Sequence, residues 1–318
     1  MSGLGPTFTR WALQGGIRLE LALSRLAEFR VKAGAHEIVY LDSRDKRKQS
    51  RDGAPIVMLH GFGGDRFNWI RHARYLTDRH RVVIPDLPGF GDSSRNRQET
   101  YSTENQMTWL AGFLDTVGID KLHLAGNSMG GHIATMFAAR FPRRVETLIL
   151  HAPAGTEGAG PPWDISGRDR GQHPLKVFAP EDFDALMRWV FVKPPLMVSP
   201  IRRYFAAQAI ANRPFLLKVF DDIMHRDAGN ALVEPLLPNI LAPTLVIWGQ
   251  HDRLLDCAEA AVYKRLMPNA RVLVLPDCGH LPMAELPRQT ARLTSDFLET
   301  ALADPRSVPL AVKVASSR

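Results

Sequence analysis

The chain has 318 residues, 45% of them apolar and 23% charged, and a formal net charge of +7. That is the composition of an ordinary soluble globular protein, and it excludes collagen-like, low-complexity and disordered chains. The positive balance raises nucleic acid as a partner, but the densest basic run, "RDKRKQSRDG" (Arg44 to Gly53), has no interleaved aromatics, so it reads as a solvated turn and no nucleic-acid partner is expected.

In chain order, residues 1–35 come first. "WALQGGIRLELALSRLAEF" (Trp11 to Phe29) is apolar, but Arg18, Glu20, Arg25 and Glu28 interrupt it. It is therefore read neither as a membrane span nor as a secretory segment. An amphipathic helix is expected instead, with Ala12, Leu19, Leu23 and Leu26 on one stripe and Arg18, Arg25 and Lys32 elsewhere. Residues 1–35 hold five basic side chains (Arg10, Arg18, Arg25, Arg30, Lys32) against two acidic ones (Glu20, Glu28). The helix either packs on the domain or makes peripheral membrane contact, so the expected location is cytoplasmic, with membrane association as the open alternative.

Short apolar, β-branched runs then alternate with helix-like stretches, which predicts parallel strands joined by helices. The strand candidates are His36 to Leu41, Pro55 to Gly61, Arg81 to Asp86, Lys121 to Gly126, Val145 to His151, Pro243 to Gly249 and Ala270 to Pro276. Helical patterns cover Phe67 to Leu76, Ser102 to Val117, Met129 to Arg140, Ala258 to Leu266 and Gln289 to Ala301. The rhythm fails between Pro153 and Ile240, where proline, arginine and aromatics concentrate and "EDFDALMRWVF" is helical. Residues 154–240 thus read as a helical cap inserted into a core made of 36–153 and 241–303, with 304–318 as a tail. Met187, Trp189, Val190, Phe191, Val192, Leu196, Met197 and Val198 give the cap an apolar density that either lines an acyl-chain pocket or packs cap on core.

The chemistry concentrates at "LHLAGNSMGGHIATMFAAR" (Leu122 to Arg140). Gly126-Asn127-Ser128-Met129-Gly130 is a G-x-S-x-G pattern placed after a strand and before a helix, the setting of a nucleophile elbow. The glycines remove the Cβ atoms that would clash in so sharp a turn and leave the Ser128 hydroxyl clear. A serine needs a base to take its proton and a carboxylate to orient that base. In this order of elements the acid follows a later strand and the histidine the next. "PTLVIWGQHD" supplies Asp252 and "ARVLVLPDCGH" supplies His280. The competitors have structural readings: Asp256 as a helix cap, Asp277 as a turn residue, His251 facing solvent, and His60 and His151 in structural hydrogen bonds. The oxyanion is expected to be held by the backbone N–H of Met129 and, from "HGFGGD" after the Pro55 to Gly61 strand, that of Phe62. No histidine pair at metal-ligand spacing is present, so neither a metal nor another cofactor is expected. The two cysteines, Cys257 and Cys278, imply no disulfide framework and read as reduced small hydrophobes.

With "HGFGG", "DLPGFGDS", "GNSMGG", "GQHD" and "GHLPMAE" in this order, the chain from Val31 to about Ala301 resembles the α/β-hydrolase superfamily. Within it, the chain is similar to the bacterial lipase and carboxylesterase branch related to monoacylglycerol lipases. The resemblance implies an α/β-hydrolase fold, a mostly parallel doubly wound sheet with a helical cap. It also implies hydrolysis of a small-molecule ester with an apolar acyl chain through an acyl-enzyme, without a cofactor. Carbon–carbon hydrolases of aromatic degradation share the "GNSMGG"-like elbow and are the alternative, although "HGFGGDRFNW" lacks their proline-containing extension. A non-catalytic hydrolase-fold binding protein is the rival of another class. The haloalkane dehalogenase and epoxide hydrolase branches use an aspartate where this chain has Ser128.

Overall fold

The computed structural model describes residues 6–44, 53–157, 175, 177–224, 232–267 and 269–303. Most of the basic run, the glycine- and proline-rich start of the cap and the 304–318 tail lie outside the described residues. The described residues form eight strands: β1 (Ala27–Ala33), β2 (His36–Asp42), β3 (Ile56–Leu59), β4 (Val82–Pro85), β5 (Leu122–Asn127), β6 (Val145–His151), β7 (Thr244–Gly249) and β8 (Ala270–Leu275). They form one sheet in the order β1-β2-β4-β3-β5-β6-β7-β8. β1 pairs β2 and β2 pairs β4 antiparallel; every later pairing is parallel.

The sheet is covered on both faces, which is why β3, β4, β5 and β7 are buried along their whole length without alternation. Neighbouring residues still go to opposite sides. Val57, Leu59, Leu124, Leu148 and Val246 pack with α3 (Thr103–Thr116) and α4 (Met129–Arg140). Ile56, Met58, Ala125, Ile149 and Leu245 pack with Trp69 and with Phe297 and Leu298 of α9 (Pro287–Ala303).

All seven expected strands occur, with ends displaced by no more than two residues. The eighth, β1, was not expected, and it corrects the N-terminal reading. The first helix, α1, spans Pro6–Leu23 and does not continue to Phe29. Arg25 takes φ 53°, and the Leu26 amide donates back to the Leu21 carbonyl (3.0 Å), an αL-type stop without the usual glycine. The chain then turns into an edge strand, which pairs β2 around Gly34 at φ 60°. Leu23 and Leu26 complete a helical period by accident, which is how sequence periodicity carries the helix too far. The sheet therefore begins at Ala27, inside the segment 1–35.

Leu21 of α1 packs against the core, while Leu19 and Leu23, on the expected stripe, are 60% and 43% exposed. Two apolar stripes share this helix, and tertiary contact selects between them. Glu20 then pairs with Arg71 (3.0 Å) of α2 (Ile70–Ala73).

Between β6 and β7 lie α5 (Pro180–Val190) and α6 (Ser199–Met224), packed on each other through Phe183 and Ala206 with Leu186, Met187 and Met197 around them. The remaining helices are α7 (Ala260–Leu266), α8 (Pro282–Glu285) and α9. The loops after β3, β5, β7 and β8 all leave from the carboxyl edge of the sheet, where open α/β sheets bind ligands.

Candidate active site

Ser128 is the single residue between β5 and α4, with φ 54° and ψ −120°. Such a conformation is costly for a residue with a Cβ and persists only when its surroundings enforce it. They do so here by backbone bonds: Ser128 N–H donates to the His151 carbonyl (3.1 Å), while the amides of His132 and Ala154 both donate to the Ser128 carbonyl (3.0 Å each). A Cβ at Gly130 would stand 2.5 Å from the carbonyl oxygens of Leu59 and His60, so only glycine lets α4 approach β3 so closely.

The loop after β8 brings His280 to the same edge. His280 Nδ1 donates to Asp252 Oδ2 at 2.7 Å, and both side chains are almost wholly buried. Asp252 follows β7 and accepts three further hydrogen bonds: from the amides of Leu254 (2.8 Å) and Leu255 (3.0 Å) and from Trp248 Nε1 (3.1 Å). Four donors thus fix one carboxylate and, through it, the plane of the imidazole. The arrangement leaves Nε2 as the free ring nitrogen.

Phe62 and Met129 line the same cavity as Ser128. Met129 opens α4, so its amide is among those that no carbonyl of that helix can take. A Cβ at Gly61 would sit 3.1 Å from the Ser128 Cβ, which shows how closely the Gly61–Phe62 segment passes. This loop is held from behind. Arg66, 3% exposed, pairs with Asp86, with Glu28 of β1 (2.6 Å) and with Asp92 (2.7 Å), and its amide donates to Asp86 (2.7 Å). "DLPGFGDS" is thereby accounted for as a buried ionic clamp. The carboxyl of Asp65, beside it, is pushed up to about 6 by burial and then by Asp86.

Ser128, Met129, Phe62, Gly61 and His280 line one cavity of about 420 Å³, roofed by α5 and α6. Its wall is mainly apolar. Of the expected cap residues, Met187 and Val190 line it, Met197 packs within the cap, and Leu196 and Val198 are exposed. Among the described residues no group of three or more His, Cys, Asp or Glu could hold a metal ion.

The competing residues sort cleanly. Asp256 caps a 3₁₀ turn, accepting from the Ala258 amide (2.9 Å). Asp277 occupies a turn at φ 52°, and His251 is exposed. His60 bonds the Gly61 carbonyl (2.8 Å) and the Leu87 amide (3.0 Å), and burial lowers its pKa. His151 departs from expectation. Among the described residues neither of its ring nitrogens has a hydrogen-bond partner; the ring packs edge-on against Trp69 and His72, and the residue bonds through its backbone. Cys257 and Cys278 are free thiols.

Two residues inside the motifs were not singled out from sequence. Asn127 Nδ2 donates to the carbonyls of His151 (2.9 Å) and His280 (3.1 Å), tying the elbow to the His280 loop. Glu285 accepts from the amide of Gly279 (2.8 Å) and from that of Lys193 (2.8 Å), which follows α5. His280 N–H donates to the Val190 carbonyl (2.8 Å) and Arg253 to the Arg188 carbonyl (2.7 Å). The end of α5 is therefore bonded directly to the loops that carry Asp252 and His280. Contacts made through backbone atoms leave little trace in residue type, which is why only the motif letters "N" and "E" hinted at them.

Comparison with known proteins agrees with this architecture. A family model described as the alpha/beta hydrolase fold matches residues 54–287. Lipase 1 of Psychrobacter immobilis is 35% identical over 240 residues, 75% of each chain. A monoacylglycerol lipase of Xenopus laevis is 30% identical over 257 residues, covering 78% of this chain and 76% of the relative. A solved bacterial membrane phospholipase A superposes with a TM-score of 0.85 at 38% identity, over 92% of both chains.

Proposed function

Because the chain belongs to the α/β-hydrolase fold family and is a carboxylic ester hydrolase, we propose that it cleaves lipid esters by way of an acyl-enzyme on Ser128. The observation that carries this reading is the 2.7 Å bond from His280 Nδ1 to Asp252, with His280 and Ser128 lining one apolar cavity. His280 Nε2 takes the Ser128 proton as Oγ attacks the ester carbonyl. Asp252 keeps the ring in the productive tautomer and stabilises the imidazolium. The oxyanion accepts the N–H groups of Phe62 and Met129, in the positive field at the start of α4. The alcohol leaves with the proton from His280; water, deprotonated by the same nitrogen, then releases the acid. The three side chains, the ester and water balance every proton and electron pair, so no cofactor enters the cycle.

The apolar wall, including Phe62, Val190, Leu216, Phe220 and Leu254, suits the acyl chain. The molecule works at a membrane surface: α1 presents Leu19 and Leu23 to solvent beside Arg18 and Arg25, and the cap exposes Leu196 and Val198. Among the described residues no helix is long and apolar enough to cross a membrane, so the contact is peripheral within them.

A fluorophosphonate probe with a chain-length series of 4-nitrophenyl esters tests the reading. Wild type should be labelled and Ser128→Ala should not, and kcat/KM should rise from acetyl to medium and long acyl chains. A folded wild type that resists labelling, or one that prefers a vinylogous 1,5-diketone acid, would overturn it.

A further inference from the structure

Three arginines line the ester cavity or the smaller space beside it, and none of them is ion-paired among the described residues. Arg213 of α6 lines the cavity itself, its guanidinium carbon 4.9 Å from the Phe178 ring centroid. Arg95 and Arg97 line a smaller cavity of about 300 Å³, and Asn212 is a wall of both spaces. Arg95 lies 5.6 Å over the Phe215 ring and donates to Asn212 Oδ1 (2.8 Å) and to the Gly91 carbonyl (3.1 Å). The Asn212 amide nitrogen offers two further N–H donors beside them. Among the nearby carboxylates, Asp222 accepts from Lys218 and from the Tyr101 amide, while Glu99 faces His36 at 3.7 Å, beyond hydrogen-bond distance. Asp65, the one carboxylate lining the ester cavity, accepts from the Phe67 amide.

The cluster has a defined place along the wall. Phe220 of α6 stacks edge-on against Phe62, 5.5 Å between ring centroids, and so marks the reacting end. Arg213 lies seven residues earlier, about 10 Å along the helix at its usual rise, with Leu216 and Leu217 of the cavity wall between them. A scissile ester at Ser128 is thus followed by apolar wall and then by Arg213 and Asn212, with Gln208 and Phe205 of the same wall further along α6. The few bonds of a glycerol spacer and the reach of an arginine side chain bridge that interval.

We propose that Arg213, with Asn212 and the flanking Arg95 and Arg97, is an anion subsite for the alcohol side of the substrate. The preferred substrate is then a glycerolipid ester carrying a phosphoryl headgroup, in place of a neutral monoacylglycerol. Guanidinium matches phosphoryl oxygens bidentately, and stacking on Phe178 and Phe215 holds two of the cations in advance. Arg213 is half-buried, so a neutral headgroup leaves its cation partly desolvated and unpaired. The inference rests on the ester-hydrolase reading above and adds the charge of the substrate.

The test compares a 1-acyl glycerophospholipid with the 1-monoacylglycerol of the same short acyl chain. Both are used as monomers, so binding to a lipid surface does not enter. The readout is the ratio of the two kcat/KM values. Wild type should favour the phosphoryl substrate about tenfold or more, through KM, and the ratio should shrink as salt rises. Arg213→Gln should collapse the ratio about tenfold; Arg292→Gln, on the exposed face of α9, should leave it where it was. Inorganic phosphate at millimolar concentration separates a headgroup site from a free-anion site. Arg213-dependent inhibition by phosphate without substrate preference overturns the substrate claim, as does a ratio near one or an equal loss on both lipids in Arg213→Gln. A labelled wild type that hydrolyses neither lipid would instead sink the lipid-ester reading.

Discussion

Asp252 is the residue on which the most geometry converges. Its Oδ1 serves two backbone amides and its Oδ2 serves Trp248 and His280, so an isosteric amide spares the first pair of bonds and disturbs the second. In Asp252→Asn the Oδ1 bonds survive, but an NH₂ faces His280 Nδ1 and favours the wrong tautomer. We expect kcat to fall by about 10³–10⁴ with little change in melting temperature. A loss of less than tenfold would hand the orienting role to another carboxylate. The strained turn at Ser128 and the Asp252–His280 pair were legible in residue type and order, because the proposed chemistry admits few side chains at each place. Asn127 was not, because its contribution is two hydrogen bonds to carbonyls that any residue could offer.

At the scale of elements, the roof and the reacting centre are mechanically joined. Glu285 receives one amide from the His280 loop and one from the segment after α5. Glu285→Gln keeps an oxygen for only one of them and turns a donor toward the other. Single-turnover labelling of Ser128 should slow by about tenfold, since small misplacements of a base are costly. Amide exchange at 190–193 should quicken as well. Unchanged labelling would mean that the loop holds His280 without the cap. α1 acts at the same scale. Exchanging Leu19 and Leu23 for Glu removes two exposed apolar groups, and cosedimentation with anionic vesicles should weaken about tenfold or more. Retained binding would move the membrane contact to the cap.

Across the whole molecule, buried imidazoles set the response to acid. Burial lowers His72 to about 3 and His123 to about 4, and it lowers His151 well below its ordinary value. The unfolded chain protonates these rings near pH 6.5 and the folded chain only far lower. Stability is therefore lost as pH falls below 6.5, by about 1.4 kcal/mol per pH unit for each ring. Asp65, raised to about 6, and Glu259, raised to about 7 mainly by burial, act in the opposite sense. Their folded carboxyls hold protons that the unfolded chain releases, so their cost is present at neutral pH and fades on acidification. His72 bonds Thr290 Oγ1 (3.0 Å), a bond that glutamine can imitate. In His72→Gln the slope of unfolding free energy between pH 6 and 4, read from urea midpoints, should flatten by about one proton. An unaltered slope would mean that the folded protein already charges this ring.

Strand runs, helix periods and the three motif loops were determined by the sequence alone, because strand propensity, backbone strain at an elbow and acid–base chemistry are local or compositional demands. Which stripe of α1 docks, that the chain reverses at Arg25 into an edge strand, and that His151 is packed rather than bonded were decided only in three dimensions. The same holds for the strut through Glu285 and for the gathering of Arg95, Arg97 and Arg213. Each depends on which surfaces from distant parts of the chain meet and exclude water, and that free energy belongs to the contact rather than to any one segment.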